Sequence, residues 1–318
     1  MLESHLLDLP TGRIMKVGES GQKACVLFQQ HGHYFATLLE RTDDGASLLP
    51  LSRDTATSWF AHPRAVALSC CRSDSLALWL FPAGYDALRG QSCIPTAEVL
   101  TVGLPPLEEM VGRQVDCFAR PLDGRAPFSA TELTVPVFAP QPSGSQRGLI
   151  MDNLHTGWLA IDALTPVGRG QSMLLVGPDG AGKTTIATGA VQASRLPGSP
   201  PLHTIYACIS DDDGVRSLES LGVPVISLAP RVSRAAAVLP SVERYIAAAT
   251  AVAIGEAYRD GGHDSLVILD ELSAFRELWQ TAAQVSVSYD PKLRYLNGRH
   301  EITELRPYLL RQTFCICR

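Results

Sequence analysis

The chain has 318 residues, 46% hydrophobic and 19% charged, which is enough for a large buried core and a length that predicts two domains. Its formal net charge of -5 leaves no basic footprint, which excludes nucleic acid as a default partner. Eight cysteines with no Cys-x-x-Cys pair, and no apolar run of membrane length, read as free thiols in a reducing compartment.

The start, Met1-Leu-Glu-Ser-His-Leu-Leu-Asp8, carries acidic residues and no early arginine, unlike an intact mitochondrial or plastid transit peptide. Short segments with β-like content then follow between turn signals: Ala24–Phe28, His33–Leu39 and Leu76–Phe81. They predict a small β-domain over residues 1–126, with 42–96 as a weakly periodic insertion. His31-Gly-His33, and Cys315-Ile-Cys317 at the other end, each offer two metal ligands, short of a tetrahedral set. From Ala126 to Gly148, Pro127, Pro136, Pro140, Pro142 and Gly144 break any periodicity, which reads as a linker with a domain boundary near 126–130.

Beyond the linker, apolar strands alternate with alanine-rich segments, the pattern of a parallel α/β sheet. The expected strands are Met173–Val176, Thr204–Ile209, a weaker Val223–Ile226, and Leu266–Leu269. Ser241–Arg259 carries Val242, Tyr245, Ile246, Ala249, Val252, Ala253 and Ala257 at helical spacing and stops at Gly261-Gly262, which predicts a long helix.

Gly177-Pro178-Asp179-Gly180-Ala181-Gly182-Lys183-Thr184 fits the Gly-x4-Gly-Lys-Thr phosphate-loop pattern, placed directly after the expected apolar strand Met173–Val176 and before the helical run Thr185–Gln192. Glycines let successive N–H groups turn inward on a phosphate, and the following helix points its positive end at the same place. Lys183 is expected on the outer phosphates and the Thr184 hydroxyl on Mg, so the expected ligand is a nucleoside triphosphate, as Mg-ATP. Such a loop needs an acidic partner at the end of a parallel strand to order the metal's water shell, and Asp270 after Leu266–Leu269 is that candidate. Glu271, next to it, either hydrogen-bonds a water or caps the next helix.

Four blocks in order resemble the alpha subunit of the rotary (F-type) ATP synthase. Gly112–Gly124 resembles the family's Gly-Arg-x-Val-Asp-x-x-Gly-x-Pro-x-Asp-Gly stretch, and Thr156–Gln171 resembles the run before its phosphate loop. The loop with its helix is third. The fourth, Ala253–Ser273, resembles the alpha-type Ala-Ile-Gly-Glu-x-x-Arg-Asp-x-Gly sequence with its Asp-Asp-Leu-Ser ending. Leu9-Pro-Thr-Gly12 is similar to a turn in the family's barrel, so the likeness covers residues 1 to about 280. The resemblance implies a P-loop (RecA-like) nucleotide-binding domain over 127–318 preceded by a small β-barrel. It also implies a hexameric ring with beta-type subunits, catalysis mainly at beta sites, and proton-driven ATP synthesis. Membrane contact would be indirect, through the complex, and the location organellar (mitochondrion or chloroplast) or cytoplasmic.

Two departures qualify that expectation. The family places a catalytic glutamate in beta, or a glutamine in alpha, two residues past the strand that here ends at Ile209; this chain has Asp211, within Ser210-Asp-Asp-Asp213. Aspartate is one methylene shorter, which weakens its hold on an attacking water. Tyr289–Arg318 does not resemble the family's sequence there, and no segment matches the one that carries its arginine to a neighbouring site, so the second domain reads as C-terminally incomplete. Beside the non-catalytic or weakly catalytic alpha-like reading stand a ring ATPase of the flagellar or type III export kind and an assembly protein that binds a beta subunit.

Overall fold

The computed structural model of the chain describes residues 12–17, 22–30, 33–42, 45–48, 65–70, 76–79, 93–129, 133–139, 145, 148–178, 180–197, 201–208, 226–228, 240–270, 272 and 316–317. Seven strands open it: β1 (Arg13–Val17), β2 (Gln22–Gln30), β3 (His33–Thr42), β4 (Gly45–Leu48), β5 (Ala65–Cys70), β6 (Leu76–Trp79) and β7 (Cys93–Val99). They form one antiparallel sheet in the order β6-β5-β3-β2-β1-β7, with β4 paired to β3. Strands β5 and β6, from the stretch read as an insertion, hydrogen-bond into this sheet through β3. Next come β8 (Thr101–Leu104), a single-turn helix α1 (Leu107–Met110), β9 (Gln114–Val115) and β10 (Leu133–Pro136), with β10 antiparallel to β8.

The remaining elements are β11 (Asn153–Leu154), α2 (Leu159–Leu164), β12 (Val167–Gly168), α3 (Lys183–Ala193), β13 (His203–Cys208), β14 (Ile226–Leu228), α4 (Pro240–Asp260), β15 (Ser265–Asp270) and β16 (Ile316–Cys317). Their sheet runs β16-β15-β13-β14-β9; all its pairs are parallel except β15 with β16. Strand β9 comes from before residue 126, so the second sheet recruits Gln114 and Val115 as its edge, and the stretch expected as a linker instead contributes β10 to the pairing with β8 and Val137 to the core.

Parallel strands must be covered on both faces, and the period of two along β13 and β15 sorts their side chains. Ile205, Ala207, Val267 and Leu269 face α4, where Ile246, Ala247, Ala248, Ala251 and Ile254 are buried in a core that also takes in Leu100, Val102, Leu104 and Val115. Tyr206, Leu266 and Ile268 face the other way, onto Ala187 and Val191 of α3. Helix α4 stops as expected: Gly262 has φ +83°, His263 N–H donates to Tyr258 O at 3.0 Å, and Gly262 N–H donates to Arg259 O at 2.9 Å. That pair of bonds is the Schellman ending, which satisfies two of the helix's last carbonyls.

Met173–Val176 differs from expectation, because residues 171–178 belong to neither strand nor helix. Met173 and Leu175 still pack beside Leu266 and Ile268, while Val176 is 85% exposed. A ladder requires an open edge on the neighbouring strand. Strand β15 is paired along one edge by β13, and β16 occupies its start opposite Ser265 and Leu266.

At the opposite end of β13 from its C-terminus, the His203 ring stacks on Tyr258 at 4.2 Å, with His263 edge-on at 5.3 Å. Burial, and then the nearby His263, push the His203 imidazole below its ordinary value of 6.5. A histidine with a depressed folded-state pKa binds its proton more readily in the unfolded chain, so acid favours unfolding. Stability should therefore be fully present above pH 6.5 and fall as pH drops below it toward the folded value. Urea melts between pH 8 and 5 will show that slope, and His203→Phe should flatten it.

Candidate functional site: a glycine loop facing a strand-end carboxylate

The site grows from the start of α3. Its N-cap is Gly182, at φ +85° and ψ 18°, which provides no side-chain cap for the first turn. Among the described residues no side chain accepts from those N–H groups, which leaves them for an anion, where the helix dipole adds its positive end. Gly180 has φ +75°, and among the described residues nothing lies within 4 Å of a Cβ built at Gly180 or at Gly182. The backbone thus turns twice through a region that L side chains avoid and leaves space that a side chain would fill. Lys183 folds over the loop, its Nζ donating to Gly177 O and Pro178 O at 2.9 Å each.

Across from the loop, β15 ends at Asp270, in parallel register with Cys208 of β13. Thr184 Oγ1 donates to Asp270 Oδ2 at 2.8 Å, and the Tyr206 hydroxyl donates to the same oxygen. Val176, Gly177, Lys183, Asp270 and Leu272 line one cleft at this point. A hydroxyl and a carboxylate held together are oxygen ligands of the kind a small hard cation takes while it keeps most of its waters. The open glycine cradle beside them has the shape for phosphate. These residues therefore fit a nucleotide with Mg: Thr184 and Asp270 on the metal side, the loop N–H groups and Lys183 on the phosphates.

The structure thus brings together Gly177, Pro178, Gly180, Ala181, Gly182, Lys183, Thr184 and Asp270. Asp179, Asp211 and Glu271 lie outside the described residues. Tyr206 was not anticipated. Its signal in the sequence was faint: a residue with a polar tip on an otherwise apolar strand, on the same face as the acidic residue ending the next strand.

The stretch Thr156–Gln171 holds α3 in place. Trp158 lies so close over Gly189 that a Cβ there would sit 2.3 Å from its Nε1, and Gly157, at φ +78°, approaches Ala193. Asp162 closes the turn before α2 by accepting from Thr156 Oγ1 at 2.7 Å, Thr156 N at 2.9 Å and Gly157 N at 3.2 Å. Burial opposes its charge, but the Thr156 hydroxyl and the two backbone donors outweigh that and hold the carboxyl below its ordinary value. Arg169, with only 6% of its side chain exposed, pairs with Asp264 just before β15. Arg169→Ala would leave Asp264 partly buried without its cation, and should lower stability by about 2 kcal/mol in urea titration.

Residues 157–290 match the ATP synthase alpha/beta family, nucleotide-binding domain. Among curated relatives, ATP synthase subunit alpha of Salinibacter ruber is 30% identical over 261 residues, 76% of this chain and 46% of that protein. The corresponding subunit of Acinetobacter baylyi is 34% identical over 198 residues, 59% of this chain and 36% of that protein. That of Neisseria meningitidis is 35% identical over 200 residues, 59% and 37%. The matched part of the chain spans less than half the length of each of these relatives.

Proposed function

We propose, from a chain that belongs to the ATP synthase alpha-subunit-like family, that it binds Mg-ATP as an alpha-type component of a proton-translocating ATP synthase and turns the nucleotide over slowly or not at all. One observation carries the nucleotide half: Thr184 at the start of α3 donates to Asp270 at the end of β15, across a loop with two left-handed glycines. In this reading the loop amides and Lys183 bind and orient the phosphates. Thr184 and Asp270 hold the metal's shell, and Mg, when bound, neutralises phosphate charge. The partner in this reading is a beta-type subunit in a hetero-oligomeric ring, with any membrane contact made through the complex; among the described residues no helix is long and apolar enough to cross a membrane.

Slow turnover follows from the sequence at Asp211. Phosphoryl transfer depends on positioning and charge stabilisation, so a short carboxylate at the water-orienting position costs rate rather than binding. Titration of the purified chain with a fluorescent ATP analogue should give saturable binding that Lys183→Ala weakens about tenfold, through loss of a charge-assisted contact. Absence of saturable binding would end the nucleotide reading. Steady phosphate release by the chain alone, abolished in Asp270→Asn, would instead favour an active ring ATPase.

A further inference from the structure

We propose that Tyr206 is a positioning residue for the metal side of this site: its phenol fixes Asp270 in the orientation from which Asp270 and Thr184 together hold the shell of a divalent cation. The inference rests on the nucleotide-binding reading above and adds to it the residue on which the metal's contribution depends.

Tyr206 is fully buried, at 0% exposure, on the face of β13 that packs against α3. Parallel register sets it opposite Ile268, so Asp270 lies two residues further along β15 on the same face, about 8 Å away on the diagonal once strand rise and strand spacing are combined. A phenol is long enough to span that step, whereas an aliphatic side chain at 206 would stop short of the carboxylate. Its O–H and that of Thr184 converge on Oδ2.

That convergence divides the work. The Thr184 hydroxyl spends its only proton on Asp270, which leaves its lone pairs for a cation. Oδ1, to which no described residue donates, would be the atom that accepts from a water on the cation. With one donor, Oδ2 could slide around that single hydrogen; two donors approaching from different elements fix its position between them. The second donor comes from a ring locked in the core, and it is charge-assisted.

A phenol that merely satisfied its own hydroxyl would have a different consequence. Buried tyrosines commonly find some acceptor, and losing that bond affects folding alone. A positioning role acts on the metal-dependent part of binding and acts only through Asp270.

The test is a titration of the full chain with a fluorescent ATP analogue, in Mg and in excess EDTA. The proteins are the wild type, Tyr206→Phe, Asp270→Asn and the double variant. Tyr206→Phe keeps the buried ring, and its melting temperature should stay within a few degrees of wild type. Its affinity in EDTA should match wild type within about twofold, while the tightening produced by Mg falls about tenfold, the scale of an outer-shell partner's loss. In the Asp270→Asn background the same change should do nothing more. A full Mg increment in Tyr206→Phe would overturn the proposal. So would equal losses with and without Mg, a further loss in the Asp270→Asn background, or collapse of the fold in Tyr206→Phe. A wild type that binds no analogue in either buffer would refute the nucleotide reading and this inference with it, a pattern distinct from each of the others.

Discussion

Gly255→Val will destabilise the chain by about 3 kcal/mol or more, at the high end of what overpacking a core produces. Gly255 sits on the buried face of α4, and a Cβ there would lie 2.5 Å from Val267 Cγ2 and 3.3 Å from Ser265 Oγ. Neither neighbour can yield easily. Val267 is a β-branched residue on β15, an interior strand of the sheet, and is fully buried. Ser265 Oγ donates to Gly255 O at 2.9 Å, so its place is fixed by the same residue that would displace it. The helix can approach so closely because Ala247, Ala248 and Ala251 also present small side chains to the core. Gly255→Ala should show a reduced cost of about 1–2 kcal/mol, since about 1 kcal/mol of helix propensity is regained. Urea denaturation with an unchanged slope and a lowered midpoint would establish both values. A valine variant as stable as wild type would mean that α4 does not lie against β15 at this distance.

The same helix shows what could be read from residues alone. Expected over Ser241–Arg259, it runs Pro240–Asp260, because a long stretch repeats at helical period and Gly261-Gly262 supplies the left-handed stop. Strands β13 and β15 were legible for a similar reason: apolar runs bounded on both sides, at His203–Cys208 and Ser265–Asp270. The loop and Asp270 were legible because their chemistry demands particular residue types at particular spacings. What escaped was pairing across elements. Periodicity places Tyr206 on the face that Asp270 shares but is silent on how far its hydroxyl reaches, so their bond left only a faint trace in the sequence. Likewise the apolar run Met173–Val176 has strand composition, but composition does not reveal that the start of the neighbouring edge is taken by β16. Two residues, Gln114 and Val115, are too few to carry a period, and their place beside β14 could not be foreseen.

The two faces of the second sheet have separate duties. The α4 face is tied to the rest of the chain: Thr250 Oγ1 donates to Cys117 O at 2.7 Å and the Tyr258 hydroxyl to Leu107 O at 2.8 Å. Burial, and then Glu108, push the Tyr258 phenol up to about 12, so it stays a neutral donor at ordinary pH. The α3 face carries every described candidate for nucleotide contact. Damage to the first face should therefore appear in stability, and damage to the second in ligand affinity.

Two glycines separate those outcomes under matched strain. Gly182 and Gly262 have φ +85° and +83°, and among the described residues nothing lies within 4 Å of a Cβ at either. Valine at either position is forced into the left-handed region without meeting a neighbour, a backbone cost of about 2 kcal/mol. Gly182→Val and Gly262→Val should thus lose similar stability in urea. Their effect on a fluorescent ATP analogue should differ by about a hundredfold. At Gly262, behind the end of α4, affinity should stay within about twofold of wild type. At Gly182 the new side chain rises from the cap of α3 into the space where the N–H groups meet phosphate, and relaxation of φ toward negative values would turn those donors away. Equal affinities in the two variants, at equal stability, would show that the left-handed turn at Gly182 serves only to start the helix.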